Sequence, residues 1–323
     1  MGFFFKKKCA KLMAEQRYGD VVRLGKLNEF TIPDGVTVIK ENEFKDCWFL
    51  NKIIIPNSVK KIEKSAFENC AFAGSGLKEI TIPNSVTLIE DRAFSGCSQL
   101  ESITIPASLK NIGREAFMRC EKLKKIYITD LAAWCNISGL LNLMGASLSE
   151  KTLYLNGKLV KELVIPNNLE RIPDYAFSKC NNLTSVEIPS TVTSIGVGAF
   201  QSCKNLPDIE IPESVISIGA YAFSLCDSLT VVKIPDNVTT LGEYAFASCK
   251  NLQNITLSKN NIRIGNGAFR NCSALESVTI PGQVSFIGQQ VFDGCNSVTL
   301  YGNSAYLRAY ADTEFLRLVE LSE

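Results

Sequence analysis

A repeat of 23 residues runs through most of this chain and constrains its fold more than any other feature. Its consensus is Ile-Pro-x-x-Val-x-x-Ile-Gly-x-x-Ala-Phe-x-x-Cys-x-x-Leu-x-x-Ile, and from Cys180 to Cys295 the cysteines recur every 23 residues. A fixed period of this length is typical of a solenoid, in which each unit buries its apolar face only by stacking on its neighbours. The repeat therefore predicts a stack of similar turns and argues against most enzyme folds.

One unit shows how each turn is expected to fold. Polar and apolar residues alternate over Ser102–Ile105, which predicts a short strand with one buried face. Pro106 ends this strand because proline has no N–H for a ladder, and Gly113 is expected to open a turn. The apolar residues of 116–123 have the spacing of a short helical or 3₁₀ segment. Stacked units of this kind predict an α/β solenoid with a parallel sheet on one side.

The element Phe-x-x-Cys occurs in ten units and predicts two columns of core side chains. We interpret the phenylalanines as the spine of the core rather than as an aromatic binding stripe. The cysteine spacing does not fit the C-x₂-C pattern of zinc sites. We expect free, buried thiols that pack as small apolar residues, although twelve cysteines are also compatible with disulfide pairing. Cys9 and Cys135 lie outside the repeat.

Composition narrows the possible functions. Histidine is absent, which excludes Ser-His-Asp and Cys-His catalysis and every His-ligated zinc site. Other catalytic groups, such as paired carboxylates or Ser-Lys, remain possible, but nothing in the sequence selects them, and we expect no enzyme, no metal and no cofactor. The 34 basic residues nearly balance the 33 acidic ones, so the whole chain predicts no binding to nucleic acid or to an anionic membrane surface. The short basic run Lys6–Lys8 is interpreted as a solvated end.

Two further absences bear on location. No segment reaches the roughly 18 apolar residues that span a bilayer, so no membrane insertion is expected. The run Phe3–Phe5 is too short for the apolar region of a signal peptide, and the lysines follow it rather than precede it. The sequence as given therefore predicts no secretion signal, and an intracellular location stays open.

The largest break in the repeat lies at about 129–161. Thr129 or Asp130 is expected to cap a short helix that carries Trp134, and Asn156-Gly157 suits the type I′ turn of a hairpin. We interpret the segment as one modified turn with an insertion that projects from the solenoid. Two interpretations of Trp134 stay open: it packs beneath the insert as a small satellite core, or it belongs to a partner-contact surface.

A smaller break and the two ends complete the organisation of the chain. Four residues are added around 71–74, which predicts a bulge at a corner. Residues 1–26 do not match the repeat and are expected to form an N-terminal cap, with a helix-compatible stretch at 11–17. The solenoid is assigned to 27–300. Residues 301–323 are expected to form a C-terminal cap: a helix capped by Ser304 that runs through Asp312, then a strand at 315–319.

The repeat closely resembles the BspA-like, or type 5, leucine-rich repeat family over about residues 27–300. The stretch Ile-Thr-Asp-Leu-Ala-Ala-Trp-Cys and the ending Ala-Tyr-Leu-Arg-Ala-Tyr-Ala also look like this family. The resemblance implies a right-handed leucine-rich repeat superhelix with its parallel sheet on the concave face. It also implies a surface or secreted protein that adheres to host proteins or to other cells. The family has no catalytic motif that could be carried over to this chain.

Binding in leucine-rich repeat solenoids usually involves the exposed positions of the concave sheet. Four acidic residues in such positions form a predicted patch, which is either a solvated face or a site for a basic partner segment. The candidate partner-binding residues are Tyr127, Trp134, Glu162, Glu187, Asp208, Glu210 and Lys233. The predicted function is a non-enzymatic, monomeric protein-binding module for cell-surface adhesion or host-protein interaction. The alternative is an intracellular protein–protein interaction scaffold.

Overall fold

The computed structural model describes residues 3–72, 75–147 and 149–321. The chain forms two compact units, Met1–Leu159 and Val160–Glu323. Each is a parallel β-solenoid in which a strand pairs with the strand one repeat further on; Ser102 pairs with Lys125, and Val231 with Asn254. The predicted stack of 23-residue turns is therefore confirmed.

The elements of the first unit follow the order of the repeat, with helices at its start and near its end. In chain order they are α1 Phe3–Ala14, α2 Tyr18–Gly25, β1 Glu29–Thr31, β2 Val38–Ile39, β3 Lys52–Ile54, β4 Lys61–Ile62, β5 Ala71–Phe72, β6 Ser75–Gly76, β7 Glu79–Thr81, β8 Leu88–Ile89, β9 Ser102–Ile105, β10 Asn111–Ile112, β11 Lys125–Ile128, α3 Leu131–Cys135, α4 Leu141–Met144, β12 Thr152–Leu155 and β13 Lys158–Leu159.

The second unit consists of strands followed by one helix and a last strand. In chain order its elements are β14 Glu162–Val164, β15 Arg171–Ile172, β16 Ser185–Glu187, β17 Ser194–Ile195, β18 Ser217–Ile218, β19 Val231–Lys233, β20 Thr240–Leu241, β21 Asn254–Thr256, β22 Ile262–Ile264, β23 Ser277–Ile280, β24 Val284–Ile287, β25 Thr299–Gly302, α5 Ala305–Thr313 and β26 Arg317–Val319.

Two parallel sheets run through each unit. The main sheet is made of the strands before the repeat proline: β1-β3 and β7-β9-β11-β12 in the first unit, and β14-β16 and β19-β21-β23-β25-β26 in the second. The second sheet is made of strands of two to four residues before the repeat glycine: β2-β4-β8-β10 and β15-β17-β18-β20-β22-β24. Our sequence analysis did not predict this second sheet, because most of its strands are too short to show alternation.

The corner that carries Ala-Phe is built from turns, and our prediction of a helical or 3₁₀ segment there is wrong. Tyr221 and Leu225 have φ values of 58° and 61°, which interrupt any helix. The N–H groups of Tyr221, Phe223 and Leu225 each donate to the next turn at 2.8 Å. The residues between them donate within their own turn. The apolar spacing of the corner thus reflects an irregular ladder between turns, not a helical face.

The repeat glycine has a different role from the predicted one. Gly113 and Gly242 do not have positive φ values, so a turn conformation does not require glycine there. A Cβ at Gly242 would lie 2.4 Å from the backbone nitrogen of Ala220, and a Cβ at Gly113 would lie 2.4 Å from that of Asp91. Glycine is therefore required by the close approach of adjacent turns.

The phenylalanines form the spine that the sequence predicts. Phe44, Phe67, Phe94 and Phe117 stack with ring centroids 5.0–5.2 Å apart, and all four are fully buried. In the second unit six rings, from Phe177 to Phe292, stack at 5.1–6.0 Å. Burial of these rings removes a large apolar area from water and accounts for much of the core.

The insert is part of the stack rather than a projection from it. Strand β12 pairs in parallel with β11, and Ser138 bridges to Asn111, so the segment makes one further turn. Asp130 caps α3 by accepting a hydrogen bond from the backbone of Ala133, as predicted. The projection that we predicted is therefore corrected: Trp134 and Leu143 are buried and fill the core of this turn.

Two details of the insert bear on how it is held. The β12–β13 hairpin turns at Asn156-Gly157, where both φ values are positive, as the predicted type I′ turn requires. Lys151 is 1% exposed, and its ammonium donates to the carbonyl of Leu123 at 2.7 Å and to the hydroxyl of Ser147 at 2.9 Å. These bonds tie the insert to the preceding turn, and no sequence signal marked them.

The main sheet is interrupted once within each unit. In the first unit β3 and β7 do not pair, and the added residues form the small hairpin β5–β6, of which 73–74 lie outside the described residues. In the second unit residues 208–210 are not a strand. Here Pro207 occupies the position at which Thr184 donates its N–H to Lys161 of the preceding turn at 2.8 Å. Proline has no such donor, so this rung loses a bond.

The ends carry the predicted types of element but not the predicted bounds: α1 ends at Ala14 rather than Arg17, and the last strand begins at Arg317 rather than Phe315. Helices α1 and α2 precede the first strand, and α2 is fixed to the solenoid where the backbone of Gly19 donates to the Glu43 carboxylate at 3.0 Å. At the other end Ser304 precedes α5, and β26 pairs with β25. Phe315 lies before β26 and is 95% exposed. Whether these elements protect the solenoid ends stays a prediction.

Candidate functional site

The main face, meaning the exposed side of the main sheet, carries the predicted acidic patch in the second unit. Glu162 and Glu187 lie on the paired strands β14 and β16, and Val164 is directly beside Glu187 in the register. Asp208 and Glu210 lie on the following turn, on the segment that Pro207 excludes from the sheet. All four acidic side chains are exposed. The sequence thus placed these four residues on three successive turns, as the structure has them.

The four carboxylates share a lack of internal partners. Among the described residues, none of Glu162, Glu187, Asp208 and Glu210 forms a side-chain hydrogen bond or an ion pair. By contrast, Asp236 in the same unit contacts Lys259, which lowers the pKa of that carboxyl chiefly through the backbone N–H of Lys259. The acidic patch therefore presents negative charge to solvent.

Apolar and basic residues border the acidic patch. Val164 and Val231 are each 56% exposed, and Lys233 is exposed on β19, one repeat after Glu210. We predicted Lys233 as a partner-binding residue from the sequence. We assigned no role to the two valines, although the alternation along the strands already placed them on this face. A surface of carboxylates with isolated apolar side chains suits a basic segment that also carries apolar residues.

The two candidates of the first unit have different environments. Tyr127 is half-buried on the main face and stacks on Tyr154 of the adjacent strand, with ring centroids 4.7 Å apart. Trp134 is 1% exposed, so its side chain offers no surface to a partner. We therefore correct its assignment as a contact residue. The interpretation of Trp134 as core is the one that the structure supports.

The cysteines are free, and most lie in the buried ladder. Eight thiols each donate to the carbonyl of a phenylalanine in the preceding turn at 3.0–3.2 Å: Cys70, Cys97, Cys120, Cys203, Cys226, Cys249, Cys272 and Cys295. Burial raises the pKa of Cys226 from 9.0 to about 12. The eight thiols therefore act as hydrogen-bond donors, a role that their description as small apolar residues did not include.

The described residues contain no group of three or more His, Cys, Asp or Glu side chains placed to hold a metal ion. Among the helices in 3–72, 75–147 and 149–321, none is long and apolar enough to cross a membrane.

Solved structures with related folds come from bacteria. A leucine-rich repeat protein from Bacteroides ovatus is 27% identical, with a TM-score of 0.52, and the match covers 92% of this chain and 84% of that one. The pneumococcal vaccine antigen PcpA is 21% identical, with a TM-score of 0.58, and the match covers 92% and 89%. These similarities support the leucine-rich repeat fold.

A third similar structure is a leucine-rich cell surface protein from Faecalibacterium prausnitzii, which is 29% identical with a TM-score of 0.47. The match covers 78% of this chain but only 59% of that protein's length. Among curated proteins, none matches the chain significantly.

The family assignment comes from the repeat itself. The BspA type Leucine rich repeat region matches residues 23–131 and 170–299, in six copies. The two matched ranges hold most of the strands, phenylalanines and ladder cysteines described above, and they leave out the insert and both ends. The chain therefore belongs to the BspA-type leucine-rich repeat family.

Proposed function

We propose that this protein is a non-enzymatic binding scaffold whose acidic patch receives a basic segment of a protein partner. The observation that carries the proposal is the set of carboxylates at Glu162, Glu187, Asp208 and Glu210, which have no cationic partner among the described residues. A partner that supplies lysine or arginine would gain charge complementarity without breaking an existing ion pair. Tyr127 and Lys233 are proposed as contact residues on the main face of their own units.

The binding test uses charge-neutral variants of the acidic patch. An array of short peptides that differ in their number of lysines and arginines serves as the probe. We expect the double variant Glu187→Gln/Glu210→Gln to weaken binding of the most basic peptides by about tenfold, since each carboxylate contributes a charge pair. Binding by the unaltered protein should also weaken as salt rises.

A matched control separates local from global charge. The double variant Asp312→Asn/Glu314→Gln removes the same charge from exposed positions at the end of α5 in the same unit. It should bind the peptides as the unaltered protein does. Equal affinity of the acidic-patch variant and the control variant would contradict the proposal.

We further propose that the protein acts at the cell surface, in adhesion or in contact with host proteins. The support is its membership of the BspA-type family, whose members are mostly surface or secreted proteins. An intracellular scaffold is the second candidate, favoured by the free cysteines. Protease treatment of intact cells decides between the two, because only a surface protein is digested while a cytosolic marker stays intact.

A further inference from the structure

The first 28 residues are strongly basic, although the whole chain is nearly neutral. They contain seven basic and two acidic residues, so they hold a net charge of +5 in a chain whose net charge is +1. The remaining residues are therefore net acidic. We interpreted Lys6–Lys8 as a solvated end because they are only three charges at a terminus, without counting the other basic residues of this region.

The two acidic residues of this region already form ion pairs with arginine or lysine side chains of the same region. Asp20 contacts Arg17 at 2.5 Å and Arg23 at 2.7 Å, and Glu15 lies near Arg17 and Lys11. The hydrogen bond from Arg23 is the largest factor that lowers the pKa of the Asp20 carboxyl.

Four of the five lysines in this region, by contrast, have no acidic partner among the described residues. Within the described part of the chain, Lys6, Lys7, Lys8 and Lys26 form no ion pair. The three N-terminal lysines are exposed on α1. They are therefore available to an anionic partner.

An exposed aromatic pair lies beside this basic region. Trp48 and Phe49 directly follow Cys47 and are 45% and 48% exposed. Most other turns have polar residues at these two positions, for example Ser98-Gln99, Glu121-Lys122 and Lys204-Asn205, although the next turn has Ala71-Phe72. The repeat therefore does not require aromatic residues here, and nearly half of each of these two residues is exposed to solvent.

Three contacts join α2 and the residue after it, Lys26, to the turn that carries the aromatic pair. The Lys26 ammonium lies 5.9 Å from the centroid of the Phe49 ring. Arg23 of α2 donates to the carbonyl of Lys45 at 2.8 Å and to the thiol of Cys47 at 3.6 Å. Helix α1 packs on α2. Leu24, which is 36% exposed, adds to the apolar part of the surface. We name this combination of α1, α2, Trp48 and Phe49 the basic aromatic surface.

We propose that the basic aromatic surface binds the headgroup region of an anionic lipid bilayer. Clustered lysines attract anionic lipids, and exposed tryptophan and phenylalanine side chains favour the boundary between headgroups and acyl chains. The combination supplies the two signals that stable peripheral binding needs, whereas either alone binds weakly. No helix has to cross the bilayer for this contact.

Vesicle binding tests the proposal with the full chain. We expect binding to phosphatidylcholine vesicles that contain phosphatidylglycerol, little binding to pure phosphatidylcholine, and release as salt rises. The variant Lys6→Gln/Lys7→Gln/Lys8→Gln should weaken binding about 100-fold. The control Lys122→Gln/Lys124→Gln/Lys125→Gln removes the same charge elsewhere in the first unit and should bind normally.

Tryptophan fluorescence tests the aromatic pair directly. The chain has two tryptophans, and Trp134 is buried, so a blue shift on vesicle addition and quenching by brominated lipid report on Trp48. Trp48→Ser/Phe49→Gln, which copies Ser98-Gln99, removes the reporter and should weaken binding in vesicle sedimentation, whereas Phe315→Gln should leave both sedimentation and lipid quenching unchanged. Three results would overturn the proposal. They are comparable binding to neutral vesicles, unaltered binding by the lysine variant, and tighter binding to single-stranded nucleic acid than to vesicles.

Discussion

At the residue scale, the cysteine of the repeat has a role that its size alone does not explain. The Cys226 thiol donates to the Phe200 carbonyl at 3.2 Å, and the same geometry recurs along the ladder. An alanine or valine would fill the space but could not donate. The Phe carbonyl already accepts a backbone bond within its own turn, so the thiol gives it a second donor.

The raised pKa of Cys226 makes stability depend on alkaline pH. The thiol titrates near 9.0 when unfolded and at about 12 when folded, so the folded state holds the proton more tightly. The resulting stabilisation is complete below about pH 9 and is lost as pH rises towards about 12. Between about pH 8 and pH 10 this one thiol should lower the free energy of unfolding by about 1.4 kcal/mol.

Urea unfolding at the two pH values measures this loss. Cys226→Ala should show a smaller decrease than the unaltered protein, since it lacks the titrating group. Cys9→Ala, at a partly exposed position of α1, serves as the control and should keep the full decrease. The same decrease in all three proteins would be inconsistent with a shifted Cys226.

At the element scale, one rung of the main sheet shows how a single residue interrupts a ladder. Residues 208–210 lie between β16 and β19 but form no strand, while the second sheet stays continuous through β17, β18 and β20. Pro207 explains the difference, because it lacks the N–H that other turns donate at this position. The interruption falls at two of the four carboxylates of the acidic patch.

Replacing Pro207 should restore the rung. In Pro207→Thr the new N–H can donate to Thr184, as Thr184 itself does to Lys161. We expect the amide hydrogens of 208–210 to exchange at least tenfold more slowly, because a paired strand protects them. Gln253→Pro, the opposite change, removes the N–H that Gln253 donates to Thr230 at 2.8 Å and should accelerate exchange in 254–256. Unchanged exchange in the Pro207 variant would show that another feature holds this segment out of the sheet.

At the scale of the whole molecule, the fold buries most of the twelve free cysteines. Ten of the twelve are buried, and Cys9 and Cys295 are partly exposed. Burial raises the pKa of Cys295 to about 12, so the ionised fraction of this thiol is very small near neutral pH. The folded protein should therefore react slowly with thiol reagents at every position except Cys9.

Thiol titration checks this expectation. With a disulfide-forming chromogenic reagent near neutral pH, about one thiol should react quickly in the folded protein and all twelve after unfolding in denaturant. Cys9→Ser should remove the fast reaction. Rapid reaction of several thiols in the Cys9 variant would contradict a closed ladder.

The sequence by itself determined the solenoid, the phenylalanine spine, the α3 cap at Asp130 and the hairpin at Asn156-Gly157. Each follows from a local pattern: a period, a spacing or a turn dipeptide. It also located the acidic patch, because strand alternation decides which residues face outward. The second sheet could not be predicted, because most of its strands are too short to show an alternation of polar and apolar residues. The turns at the Ala-Phe corner could not be predicted either, because their apolar residues have the spacing of a helix.

Only the tertiary structure decided what depends on the neighbouring turn. The burial of Trp134, the position of Lys151 and the need for glycine at Gly242 all result from atoms roughly one repeat away along the chain. The basic aromatic surface likewise forms only because Arg23 and Lys26 meet the corner at Cys47 and Phe49. A repeated sequence specifies the turn, whereas contacts between turns decide which side chains stay exposed, since burial is a property of the stack.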